Sequence, residues 1–193
     1  TWFPRIVARP GFQKWAVRVP FGRHLAKRDG AEIFRVLQGF VESQALVALI
    51  ELNVLRRLLD GPATASELFA PAGISQERGA ALLQAAAAMG VVVRRRSGVY
   101  SLARKGAAIL GVPGLEDMIL HNKAFYSDMG DPVALLRGEG ETELAHFWPY
   151  VMGRGGDIPE DVSARYSDLM ARAQDLVAQD TLRMVRLSGI KTL

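Results

Sequence analysis

Residues 60–102 read DGPATASELFAPAGISQERGAALLQAAAAMGVVVRRRSGVYSL, and three local signals in this stretch set the architecture. Thr64-Ala-Ser-Glu67 has the spacing of a capping box, so a short helix starts there and stops near Pro71 and Gly73. Ser75 is a good cap for a second helix carrying Leu82, Leu83, Ala86 and Met89, with Gly90 as its left-handed stop. Val91 to Arg96 and Val99 to Leu102 then flank Ser97-Gly98, which reads as a β-hairpin.

Upstream, Ala31 to Leu55 is almost continuously helix-forming. Ile33, Leu37, Phe40, Val41, Ala45, Ala48 and Leu49 lie on one side, and Phe34, Val36, Leu46 and Val47 on the others. A helix apolar nearly all round must be buried on more than one side, and a partner chain supplies the second side. Helix, helix, helix, hairpin is the order of a winged helix. The expected fold is therefore mainly α, a winged-helix domain with extra dimerisation helices and one small β-hairpin. Downstream, helical patterns run over Arg104 to Leu110, Leu115 to Met129, Pro132 to Arg137 and Leu144 to Met152, with a last long one from Pro159 to about Leu187. Glycine-rich stretches at Gly138 to Thr142 and Gly153 to Asp157 separate them, and the chain breaks again at Ser188-Gly189.

The 193 residues are 49% hydrophobic and 23% charged, which excludes disorder and collagen-like repeats. Cysteine is absent, which removes disulfides, thiolate metal sites and cysteine nucleophiles. No uninterrupted apolar run reaches the length of a membrane span, and the first residues lack the pattern of a signal peptide. Thr1 is read as the start of a processed or trimmed chain. Charge is uneven. Residues 1–30 hold seven cations (Arg5, Arg9, Lys14, Arg18, Arg23, Lys27, Arg28) against Asp29, a net +6; with +4 for the whole chain, the remainder carries −2. Trp2, Phe3, Phe12, Trp15 and Phe21 alternate with these cations, and Pro4, Pro10 and Pro20 prevent a continuous helix. Two readings of this basic aromatic arm stand: peripheral contact with an anionic surface, lipid headgroups or phosphates, or packing on its own or a partner subunit.

Chemistry is sparse. Gly153-Arg-Gly-Gly156 has no strand before it and reads as a hinge rather than a phosphate loop. His24, His121 and His146 never fall at metal-binding helical spacing, so no metal site is expected. Aromatic and polar side chains concentrate at Met118 to Tyr126 and at Phe147-Trp148-Pro149-Tyr150, which suits either an apolar pocket or core aromatics with satisfied polar tips. The winged helix raises DNA binding as the competing reading. Its recognition helix offers only Gln76, Glu77, Arg78 and Gln84, and Arg94-Arg-Arg96 in the wing supplies phosphate affinity without base reading. A winged helix used for packing, with no specific nucleic acid, fits better than a transcriptional regulator.

Phe34-Arg-Val-Leu-Gln-Gly-Phe-Val-Glu-Ser-Gln44, the Asp60-Gly-Pro62 turn, Gly90 with its valines, Gly98-Val-Tyr100, Asp131-Pro-Val-Ala-Leu-Leu-Arg137 and Phe147-Trp-Pro-Tyr150 carry a resemblance. Residues 31–193 resemble the N-terminal half of bacterial S-adenosylmethionine-dependent O-methyltransferases. Asp131-Pro132 and Phe147 to Tyr150 narrow this to the carotenoid branch of purple photosynthetic bacteria, the hydroxyneurosporene (demethylspheroidene) O-methyltransferases; enzymes acting on a bacteriochlorophyll precursor are relatives and the alternative.

The resemblance implies a homodimer through residues 31–55 and a domain that walls the substrate pocket. It divides the chain into the arm (1–30), the dimerisation helix plus winged helix (31–112), a helical substrate wall and linker (113–187), and the start of a truncated Rossmann-like domain (188–193). S-adenosylmethionine is then the cofactor of a full-length parent, with none expected in this chain. The family's catalytic histidine falls beyond residue 193, so no catalytic residue is assigned here. Met118, His121, Asn122, Phe125, Phe147, Trp148, Tyr166 and Met170 are the implied contacts to an apolar, carotenoid-like substrate. Cytoplasmic location, at most peripheral to the inner membrane, follows as an expectation.

Overall fold

Proline 20 stands at the first position of a helix, where its fixed φ is favourable and its missing N–H costs nothing, and no breaker follows for thirty residues. One helix therefore spans Pro20–Glu51. The computed structural model describes residues 2–147 and 160–184. The helices are α1 (Trp2–Val7), α2 (Pro10–Ala16), α3 (Pro20–Glu51), α4 (Val54–Asp60), α5 (Ala65–Phe69) and α6 (Gln76–Ala88). After them come α7 (Arg104–Gly111), α8 (Leu115–Asp128), α9 (Pro132–Arg137), α10 (Glu143–Phe147) and α11 (Glu160–Met184). The strands are β1 (Ala63–Thr64), β2 (Val92–Arg94) and β3 (Val99–Leu102), and short 3-10 turns lie at Ala70–Ala72 and Arg96–Gly98.

The start of the long helix differs from the sequence reading. The expected boundary between residues 30 and 31 falls inside α3, because Gly22 and Gly30 are carried within the helix and only Pro10 and Pro20 interrupt the arm. The expected end at Leu55 is also displaced. Asn53 takes a left-handed conformation (φ 54°), which Asn tolerates better than most residues, and α4 starts afresh after it. Helix α3 contains an 18-residue window of mean hydropathy 1.4, long and apolar enough by length and composition to cross a membrane. Arg35 and Glu42 interrupt the apolar residues of this helix, so no uninterrupted run marks it in the sequence.

Residues 1–44 and 45–193 form two compact units. The first holds α1, α2 and most of α3, and Ala16 is its buried apolar residue among those described. In the second, α4, β1, α5, α6, β2 and β3 follow the order of a winged helix. The sheet is antiparallel with order β1-β3-β2; Ala63 lies opposite Tyr100, and Val92 opposite Leu102. The sequence reading expected a two-stranded hairpin, and β1 adds a third strand of two residues.

The local signals act as chemistry dictates. Thr64 Oγ1 accepts the Glu67 N–H (3.3 Å) while the Glu67 carboxylate accepts the Thr64 N–H (2.7 Å), a complete capping box. Ser75 Oγ accepts the Arg78 N–H at the start of α6. Arg57 donates to the carbonyls of Glu67 and Leu68, tying α4 to the end of α5. Between these elements lies one core: Leu49 and Ile50 of α3, Val54, Leu55 and Leu58 of α4, Leu68 and Phe69 of α5, Leu83 and Ala86 of α6, and Val92 and Tyr100 of the sheet. Each fully buried Leu, Val or Phe contributes about 1.5–3 kcal/mol before entropy is counted.

Two predictions follow from this packing. A Cβ at Gly106 would sit 2.4 Å from the Val91 carbonyl oxygen, which also accepts the Ala103 N–H, so neither side can yield. Gly106→Ala should lower stability by about 1–3 kcal/mol in urea unfolding. The capping hydrogen bonds from Thr64 hold the Glu67 carboxyl below its ordinary 4.5. A depressed carboxyl stabilises the fold above its unfolded value and loses that contribution as pH falls through the folded one. Parent and Glu67→Gln should therefore differ in melting temperature at neutral pH and converge in acid.

Candidate functional site

Helix α8 organises the second half of the larger unit. Gly114, in a left-handed conformation (φ 71°), turns the chain into it, and Glu116 and Asp117 occupy its first turn, where the helix dipole favours acids. At its far end Asp128 accepts the N–H groups of Glu143 (2.7 Å) and Leu144 (3.0 Å), so a side chain of α8 caps α10. Asp131 accepts the amides of Val133 and Ala134 and caps α9, with Pro132 at the first helical position. The Asp131-Pro132 pair is thus a helix start.

Ile119 and Leu120 of α8 pack on the winged-helix core. Met118, His121, Asn122 and Phe125 are spaced i, i+3, i+4, i+7 and share another face. Met118, His121 and Asn122 are half-buried, and Phe125 is 43% exposed beside Tyr126, with ring centroids 6.1 Å apart. Helix α11 also packs on α8, and the Arg172–Asp117 ion pair (3.3 Å) sets the register between them. Met170, half-buried, lies two residues from that pair. Phe147 ends α10 and Tyr166 lies on α11. Their side chains, like the whole of Trp148, lie outside the described residues, as do the 153–157 hinge and residues 188–193.

A cleft of about 600 Å³ opens beside this face. Ile50, Leu110 and Leu120 give it an apolar floor, and Arg56, Glu116, Asp117 and Arg172 a charged rim. Its lining includes none of the eight residues singled out from sequence. The rim charges are paired: Arg56 with Glu116, Arg172 with Asp117, and nearby Lys123 with Glu51. Such pairs clamp α4 and α11 onto α8. Nothing local announces them, since Arg56 and Glu116 are sixty residues apart. Among the described residues, no group of three His, Asp or Glu side chains is placed to hold a metal.

Two further surfaces matter. On α3, Ile33, Phe34, Val36, Leu37, Phe40 and Val41 are each 59–78% exposed, an apolar surface without cover among the described residues. On α6, the exposed side chains are Gln76, Glu77, Arg78, Gln84 and alanines, and Arg95 of the wing is engaged with Ser101 (2.9 Å). That is thin equipment for reading bases.

Burial pushes the His121 imidazole below its ordinary 6.5. It is therefore neutral at pH 7, and proton-detected titration should place its midpoint below 6.5; a midpoint above that value would contradict the packing of α8 described above.

With this geometry in place, comparison with known proteins is informative. The model of the O-methyltransferase dimerisation domain matches residues 34–111. Demethylspheroidene O-methyltransferase of Cereibacter sphaeroides is 49% identical over 98% of the chain and 50% of its own length; that of Rhodobacter capsulatus is 42% identical over 98% and 48%. The chain thus spans about half the length of the curated relatives it matches. The crystal structure of N,N-8-amino-8-demethyl-D-riboflavin dimethyltransferase from Streptomyces davawensis superposes with a TM-score of 0.59 at 22% identity, over 80% of this chain and 48% of that one, which shows a shared fold.

Proposed function

We propose that the chain, whose residues 34–111 match the model of the O-methyltransferase dimerisation domain, is the dimerisation and substrate-recognition part of an S-adenosylmethionine-dependent O-methyltransferase acting on a hydroxylated carotenoid of the spheroidene type. The observation that carries this reading is the 49% identity sustained along 98% of the chain with a relative of that name.

In the proposed reaction S-adenosylmethionine supplies the methyl group in the full-length parent. A donor site needs a glycine-rich loop leading from a strand into a helix. The described residues offer none: β1 runs directly into α5, and β3 into α7 through Ala103 alone. The chain's own contribution is binding and exclusion of water. Met118, Phe125 and Met170 suit a long apolar polyene, which needs contact area and adaptable shape rather than charge. A neutral His121 on the same face of α8 adds polarity without the cost of burying a cation against such a substrate.

We also propose that two copies associate through α3. The six exposed apolar residues between Ile33 and Val41 are support for this, because such a surface is costly to leave in water. An obligate interface of this kind buries over ~2,000 Å². Light scattering should give a dimer at micromolar concentration, and Phe34→Glu with Phe40→Glu should shift it toward monomer; a monomeric parent would overturn the assignment. The proposed place of work is the cytoplasm. Incubating the full-length parent with S-adenosylmethionine and a hydroxylated carotenoid tests the activity, and failure to methylate the hydroxyl while a bacteriochlorophyll precursor is methylated would transfer the reading to that substrate.

A further inference from the structure

We propose that the N-terminal arm, residues 2–30, docks on an anionic lipid bilayer, with its exposed aromatic rings in the headgroup layer and its unpaired cations on the lipid anions. The inference does not depend on the substrate proposed above.

The structure turns an uneven charge count into a surface. Segments α1, α2 and the first turns of α3 bury almost nothing among themselves, with Ala16 as their buried apolar residue. Trp2 is 73% exposed, Phe3 58%, Trp15 57% and Phe21 80%. Phe3, Phe12, Trp15, Phe21 and Leu25 also line a groove of about 330 Å³ within this unit, whose walls are mostly apolar. All seven cations of the arm are exposed. Among the described residues only Arg28 has acidic partners, Asp29 and Glu32, both at 3.8 Å. Arg5, Arg9, Lys14, Arg18, Arg23 and Lys27 have none.

The occupant must therefore be anionic and also offer a layer into which amphipathic rings can sink. Tryptophan at the edge of a bilayer meets both conditions. A second copy of the arm would bring +6 against +6, and the rest of the chain, at −2, offers little compensation. Nucleic acid would neutralise the cations and leave the apolar groove in water. Crossing of the membrane by α3 is a different matter. Leu49 and Ile50 at the end of that helix are sealed in the winged-helix core, and a span would have to extract them. The arm lies on the surface. Each cation near an anionic leaflet is worth about fivefold in partitioning at most, so six bind reversibly and in a salt-dependent way.

The test is flotation of the full chain with vesicles of phosphatidylcholine alone or mixed with phosphatidylglycerol, at low and high salt. The expected result is recovery on the mixed vesicles only, falling as salt rises, with a blue shift of tryptophan emission from Trp2 and Trp15. The variant Trp2→Ala/Trp15→Ala/Phe21→Ala, all at exposed positions, should lose recovery by about tenfold or more. Arg5→Gln/Arg9→Gln/Arg23→Gln, which leaves every apolar contact in place, should lose up to about a hundredfold. Equal recovery on neutral and anionic vesicles, or none on either, would overturn the proposal. So would an aromatic variant that floats normally, or one that turns a dimer into monomers without any effect on vesicle binding; the last would give the arm to the partner subunit.

Discussion

Leu49 is fully buried, and Phe40, nine residues earlier on the same helix, is 63% exposed. Both are large and apolar, and both belong to α3. The C-terminal turns of this helix belong to the winged-helix core, where Leu49 and Ile50 meet Val54, Leu55 and Phe69. The turns around Ile33 to Val41 lack any such cover among the described residues. An apolar surface of that kind forces a choice on the molecule: either it finds a partner or its hydration cost is carried by the rest of the fold. The left-handed Asn53 follows the end of α3, and α4 starts afresh after it.

The clefted region around α8 obeys a different constraint. Its joints are polar: Arg56–Glu116, Arg172–Asp117, Lys123–Glu51 and the Asp128 cap on α10. Exposed ion pairs of this sort contribute little stability, roughly 0–1 kcal/mol each. Their effect is geometric, since a charged pair favours one register of two packed helices over its neighbours. Helices joined this way stay in place while their apolar side chains remain half-buried, as Met118 and Met170 are. A core packed as densely as that around Phe69 would leave no such surface; a Cβ on Gly79 would already lie 2.3 Å from the Phe69 ring.

What could be read from the sequence follows from the range of the interactions. Thr64 with Glu67, Ser75 with Arg78, and the positive φ of Gly90 and Gly98 involve residues at most three apart, and their signals are complete within a short window. Strand β1 is two residues long and exists only because Ala63 and Thr64 lie against Tyr100 and Val99, so no alternation could announce it. The start of α3 lies at Pro20 rather than near Ala31, because the apolar pattern thins out before residue 31 while helix propagation continues until proline or a cap interrupts it. The candidate contacts on α8 were legible as a face, since i, i+3, i+4, i+7 is a helical spacing. The cleft beside it was not, because its rim joins residues from α4, α8 and α11 that only the tertiary fold brings together.

Among the described residues, two side chains are pulled from their ordinary range. One is Glu67, through the capping hydrogen bonds from Thr64, and its role is spent on starting α5. The other is His121, through burial, and it is shifted toward neutrality, which suits contact with an apolar molecule and weakens it as a base at neutral pH. The remaining acids near α8 are occupied by arginine, lysine or backbone amides. A chain arranged like this holds and shapes: its free energy goes into a core that seats one end of α3, into polar joints that fix α8, and into exposed apolar faces that demand occupants.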